Sequence, residues 1–279
     1  MILALDLGNY NIKTSEMVCF PSYFQEGPND NPLGEDVIIY DKKTYTMQKG
    51  DFDNTYNKAL KNYIPNVLYA LDKSSRVAKE FDLFLGVPAD NTGIIEDFRK
   101  TLQNKDFEFK INGTVRKIKI NRIMGVGEGI SAFYSLPAEL RALPTIVIDI
   151  GGRTVNVGVF QNHRLIKRFT VPQGMIDLYD NIAKRYNSNG NRVVAEQVND
   201  LIDRGFIKDV HVEYTAFVKK IMNRIDKEVD RQFYNVYYCG GGAVRLEKQL
   251  LLYGGNLMPH PLFANVLGNR NIAKSQWGE

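Results

Sequence analysis

A short pattern occurs twice in this chain, and the repetition limits what the chain can fold into. Ile2-Leu3-Ala4-Leu5-Asp6-Leu7-Gly8-Asn9-Tyr10-Asn11 lies near the start. Ile146-Val147-Ile148-Asp149-Ile150-Gly151-Gly152-Arg153-Thr154 lies just past the middle, with the two Asp 143 positions apart. Each copy is an apolar run ended by Asp, then a Gly-containing turn, small polar residues and a second apolar stretch. That order reads as a β-hairpin with a carboxylate at the strand end and free backbone N–H groups in the turn. Two such hairpins facing one cleft would offer two carboxylates and two phosphate-cradling loops, a place for a metal-bound polyphosphate.

A chain of 279 residues exceeds one average domain, and two lobes are the natural expectation. Hydrophobic residues make up 44% and charged residues 24%, which is ordinary globular composition and argues against disorder. The net charge of +4 is mild and no stretch packs five or six basic residues together, so no direct nucleic-acid binding is expected. Cys19 and Cys239 are too few and too far apart for a disulfide framework or a zinc site, which fits a reducing, cytoplasmic compartment. The chain opens on a strand pattern, and no window approaches about 18 uninterrupted apolar residues. Neither an export signal nor a membrane span is expected.

Strand and helix patterns alternate along both halves, so the class is α/β with two related lobes. In the first half, Val37 to Tyr40 and Thr44 to Met47 form a small hairpin, Ile64 to Leu71 an apolar helix, Phe81 to Pro88 a buried strand and Ile94 to Lys105 a helix. Phe107 to Ile111 and Val115 to Ile123 alternate around Asn112-Gly113, the strongest short hairpin signal. Ile130 to Leu136 reads as a helix. Pro137 and Pro144 bracket the boundary between lobes. The second half gives a hairpin over Thr145 to Thr170, helices Met175 to Tyr186 and Val193 to Arg204, and a long helix Val212 to Arg231 with Phe217, Ile221, Ile225 and Val229 on one face. A strand Val236 to Tyr238, a helix Val244 to Leu252 and a final helix Phe263 to Lys274 follow.

Each candidate residue has a plainer reading beside the functional one. A single Asp-x-Gly caps a turn; two copies in equivalent places point to Mg²⁺ held by Asp6 and Asp149 through its water shell. Gly8-Asn9-Tyr10-Asn11 and Gly151-Gly152-Arg153-Thr154 suit tight turns, and the same lack of bulk lets backbone amides approach phosphate. Lys13 either faces solvent or places a point charge on a phosphate. Gly240-Gly241-Gly242, between a strand and a helix, is a flexible joint or a wall against which a nucleotide packs. Glu128, among glycines, is a helix-start carboxylate or the group that polarises the water attacking a γ-phosphate.

In this order the motifs resemble the actin–Hsp70–sugar kinase superfamily over nearly the whole chain. The order is a first phosphate hairpin at Asp6 to Lys13, a connecting element at Gly125 to Ala132, a second phosphate hairpin at Asp149 to Thr154, an adenosine motif at Gly240 to Gly242 and a second connecting helix at Ala264 to Gly268. Asp6-x-Gly8-x-x-Asn11-x-Lys13 and Phe263-Ala264-Asn265-Val266-x-Gly268 resemble the ParM/StbA plasmid-segregation actins in particular. The resemblance implies a duplicated, ribonuclease H-like fold. Its first lobe would comprise residues 1–144 and 262–279, with a small subdomain inserted at about 21–63, and its second lobe residues 145–261. It implies an ATPase using ATP and Mg²⁺, a homopolymeric, double-stranded filament, and a separate DNA-binding centromere adaptor. It places Asp6 and Asp149 at the metal, Lys13 and the turn amides on phosphate, Glu128 near the hydrolytic water, and Gly174 at the border of the nucleotide. A sugar or acyl kinase of the same superfold is the alternative.

One departure matters. Such actins insert a further subdomain over the base between the second phosphate hairpin and the adenosine motif, and here only residues 187–211 are free for it. In this the chain resembles the short AlfA-like members, which implies an exposed adenine and weak discrimination of ATP from GTP.

Overall fold

The structure is a computed structural model and describes residues 1–8, 10–28, 34–50, 62–87, 93–127, 129–188 and 190–278. It divides into two compact units, Met1–Ser135 with Asn265–Glu279, and Leu136–Ala264.

The first unit is built on β1 (Ile2–Leu7), β2 (Asn11–Thr14), β3 (Cys19–Pro21), β4 (Phe24–Glu26), β5 (Val37–Tyr40), β6 (Lys43–Met47), α1 (Ile64–Ser74), β7 (Glu80–Val87), α2 (Ile94–Leu102), β8 (Lys105–Ile111) and β9 (Thr114–Gly127). Its strands form one nine-stranded sheet in the order β3-β2-β1-β7-β9-β8-β5-β6-β4. β1 pairs antiparallel with β2 and parallel with β7. A strand central in a sheet and covered on both faces can be apolar throughout, which is why Ile2 to Leu5 show no polar alternation. Asn112 and Gly113 both take positive φ (47° and 81°), the mirror-image turn that their types favour, and close β8 onto β9 as expected.

The second unit follows with α3 (Ala138–Arg141), β10 (Thr145–Ile150), β11 (Val155–Gln161), β12 (Arg164–Val171), α4 (Met175–Asn187), α5 (Ala195–Asp203), α6 (His211–Ile225), β13 (Asn235–Cys239), α7 (Gly241–Arg245), α8 (Glu247–Leu251) and β14 (Asn256–Leu257); α9 (Ala264–Trp277) leads back into the first unit. The second sheet runs β12-β11-β10-β13-β14. Its pairings reproduce those of β3-β2-β1-β7-β9 strand for strand: antiparallel, antiparallel, parallel, parallel. The repeat seen in the sequence is thus a repeat of topology. Tyr214, Phe217, Val218, Ile221, Met222 and Ile225 of α6 and Met175, Leu178 and Ile182 of α4 are buried in one core with β10 and β11, each side chain contributing about 2 kcal/mol gross.

Among the differences from the sequence reading, four bear on how the elements end. The long helix expected to Arg231 ends at Ile225: Lys167 on β12 takes the Glu228 carbonyl (2.7 Å) and carboxylate (2.8 Å), and Asp230 accepts from the Gln232 amide to start a separate 3₁₀ turn, Arg231–Phe233. Val229 still packs on the core, so the apolar period outlasts the helix. The segment read as a helix over Ile130 to Leu136 is a 3₁₀ turn, Ser131–Ser135, because β9 runs on to Gly127 and Pro137 follows at once. The helix expected over Val244 to Leu252 breaks at Leu246, which turns fully into the core while Arg245 is drawn to Asp203 and Asn199 of α5. The α2 helix stops at Leu102 rather than Lys105, where Asn104 takes a positive φ.

Candidate functional site

In the first unit, sheet register sets the chemistry. Asp6 lies opposite Lys13 on β2 and Gly86 on β7. The Lys13 ammonium sits 3.3 Å from Asp6 Oδ2, with side chains 18% and 14% exposed. Lys13 therefore points not to open solvent but to the carboxylate, which places a movable cation where a phosphate could take it over. At Gly8 a Cβ would fall 2.5 Å from the Asn11 carbonyl, so the turn closes only around glycine. Asn9 and Glu128, expected at phosphate and at the hydrolytic water, lie outside the described residues. Tyr10 follows in the turn, its carbonyl accepting from the Ser22 amide at 2.9 Å.

Cys19 lies opposite Lys13 across β2 and β3, a neighbour that no local sequence signal could reveal. Burial pushes its thiol up, against the lowering effect of Lys13, and Asp6 adds to the rise, so the thiol stays protonated at neutral pH.

The expected connecting elements of this unit also meet. Asn265 Oδ1 at the start of α9 accepts from Ser131 Oγ and the Ala132 amide, both at 3.2 Å. A Cβ on Gly268 would stand 1.7 Å from the Ser131 carbonyl. The helix can lie on the turn only because position 268 carries no side chain.

In the second unit, Asp149 repeats the place of Asp6, opposite Asn156 on β11 and Cys239 on β13, and is 8% exposed. The Gly151 amide donates to the Thr154 carbonyl at 2.9 Å, and a Cβ on Gly151 would stand 3.0 Å from that oxygen. Gly8 and Asn11 are thus matched by Gly151 and Thr154, and the spacing of 143 holds through the turn. Gly152 and Arg153 complete the loop.

The start of α4 is seated directly on it. The Met175 and Ile176 amides donate to the Gly151 (3.0 Å) and Gly152 (2.8 Å) carbonyls, and a Cβ on Gly174 would lie 2.5 Å from Gly152 and Arg153 backbone. Asp177 takes the Gly174 amide at 2.8 Å. Gly174 therefore locks helix to loop, and the helix's first donors are spent on the loop rather than left for an anion.

The glycine triplet comes to the same corner. Gly240 has φ +88°, and a Cβ there would stand 2.4 Å from Asp149 Oδ1 and 2.5 Å from the Ile150 carbonyl. Gly242 is packed against Ile150 and Met175, whereas beside Gly241 a Cβ would meet only Leu262, at 3.7 Å. Asp149, the loop at 151–154, Gly174 and the triplet thus form one glycine-lined corner. Its lack of bulk fits a nucleotide with phosphates, and no group of three His, Cys, Asp or Glu able to chelate a metal occurs among the described residues. No helix among them is long and apolar enough to cross a membrane.

Comparison with known proteins defines the class. Residues 147–251 match the family model described as archaeal actin homologue MreB-like, C-terminal. Ta0583, an archaeal actin homologue, superposes with a TM-score of 0.83 at 17% identity over 98% of this chain and 99% of its own. An apo ParM protein of pSK41 gives 0.75 at 17% identity over 99% and 98%. An AlfA filament bound to AMPPNP gives 0.62 at 19% identity over 100% and 96%. No curated protein matches the sequence. The chain has the actin-like fold, shared with ParM- and AlfA-type proteins.

Proposed function

We propose that this chain is an ATP-driven, filament-forming actin that moves plasmid DNA apart through a separate centromere-binding adaptor, working in the cytoplasm. The observation that carries the reading is the doubled corner: Asp6 and Asp149 at the same register of two like sheets, each followed by a glycine turn that admits no side chain. Structural neighbours that include an AlfA filament and an ADP complex of Ta0583 support it. ATP with Mg²⁺, GTP being the alternative nucleotide, would supply the phosphoanhydride. Asp6 and Asp149 would hold the metal's waters, Lys13 and the amides at 8–11 and 151–154 the phosphates, and Gly240 to Gly242 the adenosine; Glu128 would orient water.

Light scattering and sedimentation with ATP and Mg²⁺ test this. Nucleotide-dependent polymer is expected. Asp149→Ala should abolish turnover, while Glu128→Ala should still assemble but hydrolyse at least about a hundredfold more slowly. A chain that stays monomeric while phosphorylating a sugar would instead be a kinase of the same superfold.

A further inference from the structure

Two exposed features have no role in the nucleotide corner and complement each other. The first is a knob on the first unit. Val77, 88% exposed, is the most exposed of the large apolar side chains among the described residues, and it is flanked by the exposed cations Arg76 and Lys79. Neither cation has an ion-pair partner among the described residues. The turn is held rigid from beneath. Arg116, paired with Asp72 at 3.0 Å, donates to the carbonyls of Ser75 (2.9 Å), Arg76 and Ala78 (3.4 Å), and the Ala78 amide donates to Ser75 Oγ (3.1 Å).

The second is a hollow on the second unit. A surface cavity of about 530 Å³ opens between the turns at 226–236 and 253–256, with Asp226, Asp230, Tyr234 and Tyr253 in its lining. Phe233 (70% exposed) and Leu252 (79% exposed) adjoin the lining in sequence. This hollow is also preorganised: Arg231 is bound to Asp226 at 3.1 Å and to the Tyr253 carbonyl at 3.0 Å, and Tyr238 donates to the Gly254 carbonyl at 2.8 Å. Arg231 neutralises Asp226, which leaves Asp230 as the carboxylate without a cation among the described residues.

We propose that the Val77 turn of one copy of this chain docks into the hollow lined by Asp230, Tyr234 and Tyr253 of another, beside the exposed Phe233. The occupant follows from charge complementarity: a tip flanked by two cations without ion-pair partners among the described residues, and a hollow whose lining holds the carboxylate of Asp230, uncompensated among them. Both are rigid before they meet, which lowers the ordering cost of contact. Where one knob seats in one hollow the contact is heterologous and leaves a free knob and a free hollow after each addition, as a chain of subunits needs. A reciprocal pair would close as a dimer, and a wild type that stops at dimer overturns the chain. The proposal rests on the filament reading only for the polymer it builds.

Sedimentation velocity on Val77→Asp and Phe233→Asp tests it. Both sites are exposed, so the variants should melt and bind nucleotide as the wild type does. Each alone should raise the critical concentration at least about tenfold. Mixed one to one, they should form a heterodimer that grows no further, since each variant keeps the half the other has lost. Either variant assembling as the wild type does, or a mixture without heterodimer, overturns the contact and leaves nucleotide-driven polymer standing. Wild-type oligomers that form regardless of nucleotide and vanish in both variants support the contact and overturn the nucleotide-driven reading. A wild type that is monomeric throughout overturns both.

Discussion

Gly240 and Gly241 are neighbours of the same type, yet a methyl group would meet opposite surroundings at them. At Gly240 it would meet Asp149 Oδ1 at 2.4 Å on a backbone already at φ +88°; at Gly241 it would meet only Leu262, at 3.7 Å. The first position combines left-handed strain of about 1 to 2 kcal/mol with displacement of the carboxylate proposed to hold the metal's waters. The second lies in a short helix where Ala is the better former. Gly240→Ala should therefore cost about 2 to 4 kcal/mol in a denaturant titration and remove binding of a fluorescent nucleotide, while Gly241→Ala should stay within about 1 kcal/mol. Equal, mild effects of the two would mean that the triplet is only a flexible joint. The glycine triplet itself was legible in the sequence. Which of its members is under constraint was not, because that depends on a strand 90 residues earlier in the chain.

Elements are joined by polar clasps as well as by apolar faces, and the one around Asp36 is sensitive to pH. Asp36, just before β5, receives Tyr69 of α1, Lys73 at 2.8 Å and Asn112 of the β8–β9 turn at 2.6 Å. Burial alone would raise its pKa, but the hydrogen bonds from Lys73, Tyr69 and Asn112, with the Lys73 charge, outweigh it and hold the carboxyl at about 2, below its ordinary 3.8. A depressed carboxylate stabilises the fold above its unfolded pKa and loses that contribution as pH falls through the folded one. For a partly exposed group the contribution is about 1 to 2 kcal/mol after screening. Asp36→Asn should thus lower stability by about that amount at pH 7, with the difference shrinking between about pH 4 and 2. Urea titrations at both ends of the window would show it, and a pH-independent difference would assign the clasp to packing. No single segment announces this clasp, whose members are spread over residues 36–112. Where local signals and tertiary contacts agree, as at Asn112-Gly113, the sequence was sufficient. Where they compete, as at Glu228, whose carbonyl is taken by Lys167, the apolar period of α6 ran past the true helix end.

Over the whole molecule, the five-strand order repeated in two units accounts for the doubled Asp motif: each copy ends the strand that pairs antiparallel on one side and parallel on the other. Duplication was readable because an Asp and a glycine turn recur at one spacing; the four-strand extension of the first sheet, β8-β5-β6-β4, has no such marker. The units also differ between Tyr186 and His211. There the second unit carries α5, which packs on its own neighbours: Tyr179 of α4 donates to Asn199 at 2.7 Å, and Arg245 of α7 reaches Asp203 at 2.8 Å. Ala195 and Val198 are buried, Asn199 and Asp203 are committed to α4 and α7, Gln197 to the start of its own helix and Asp200 to Arg204. A single helix used this way has little left with which to read a purine. Adenine and guanine differ at exocyclic groups, and a site separates them strongly only when buried partners would otherwise go unpaired. The contacts proposed for the adenosine, glycine backbone at 240–242, supply no such partner side chain. ATP and GTP should therefore support assembly with critical concentrations within about tenfold of each other, as light scattering with each nucleotide and Mg²⁺ would show. An exclusive requirement for ATP would mean that a side chain elsewhere in the chain reads the base.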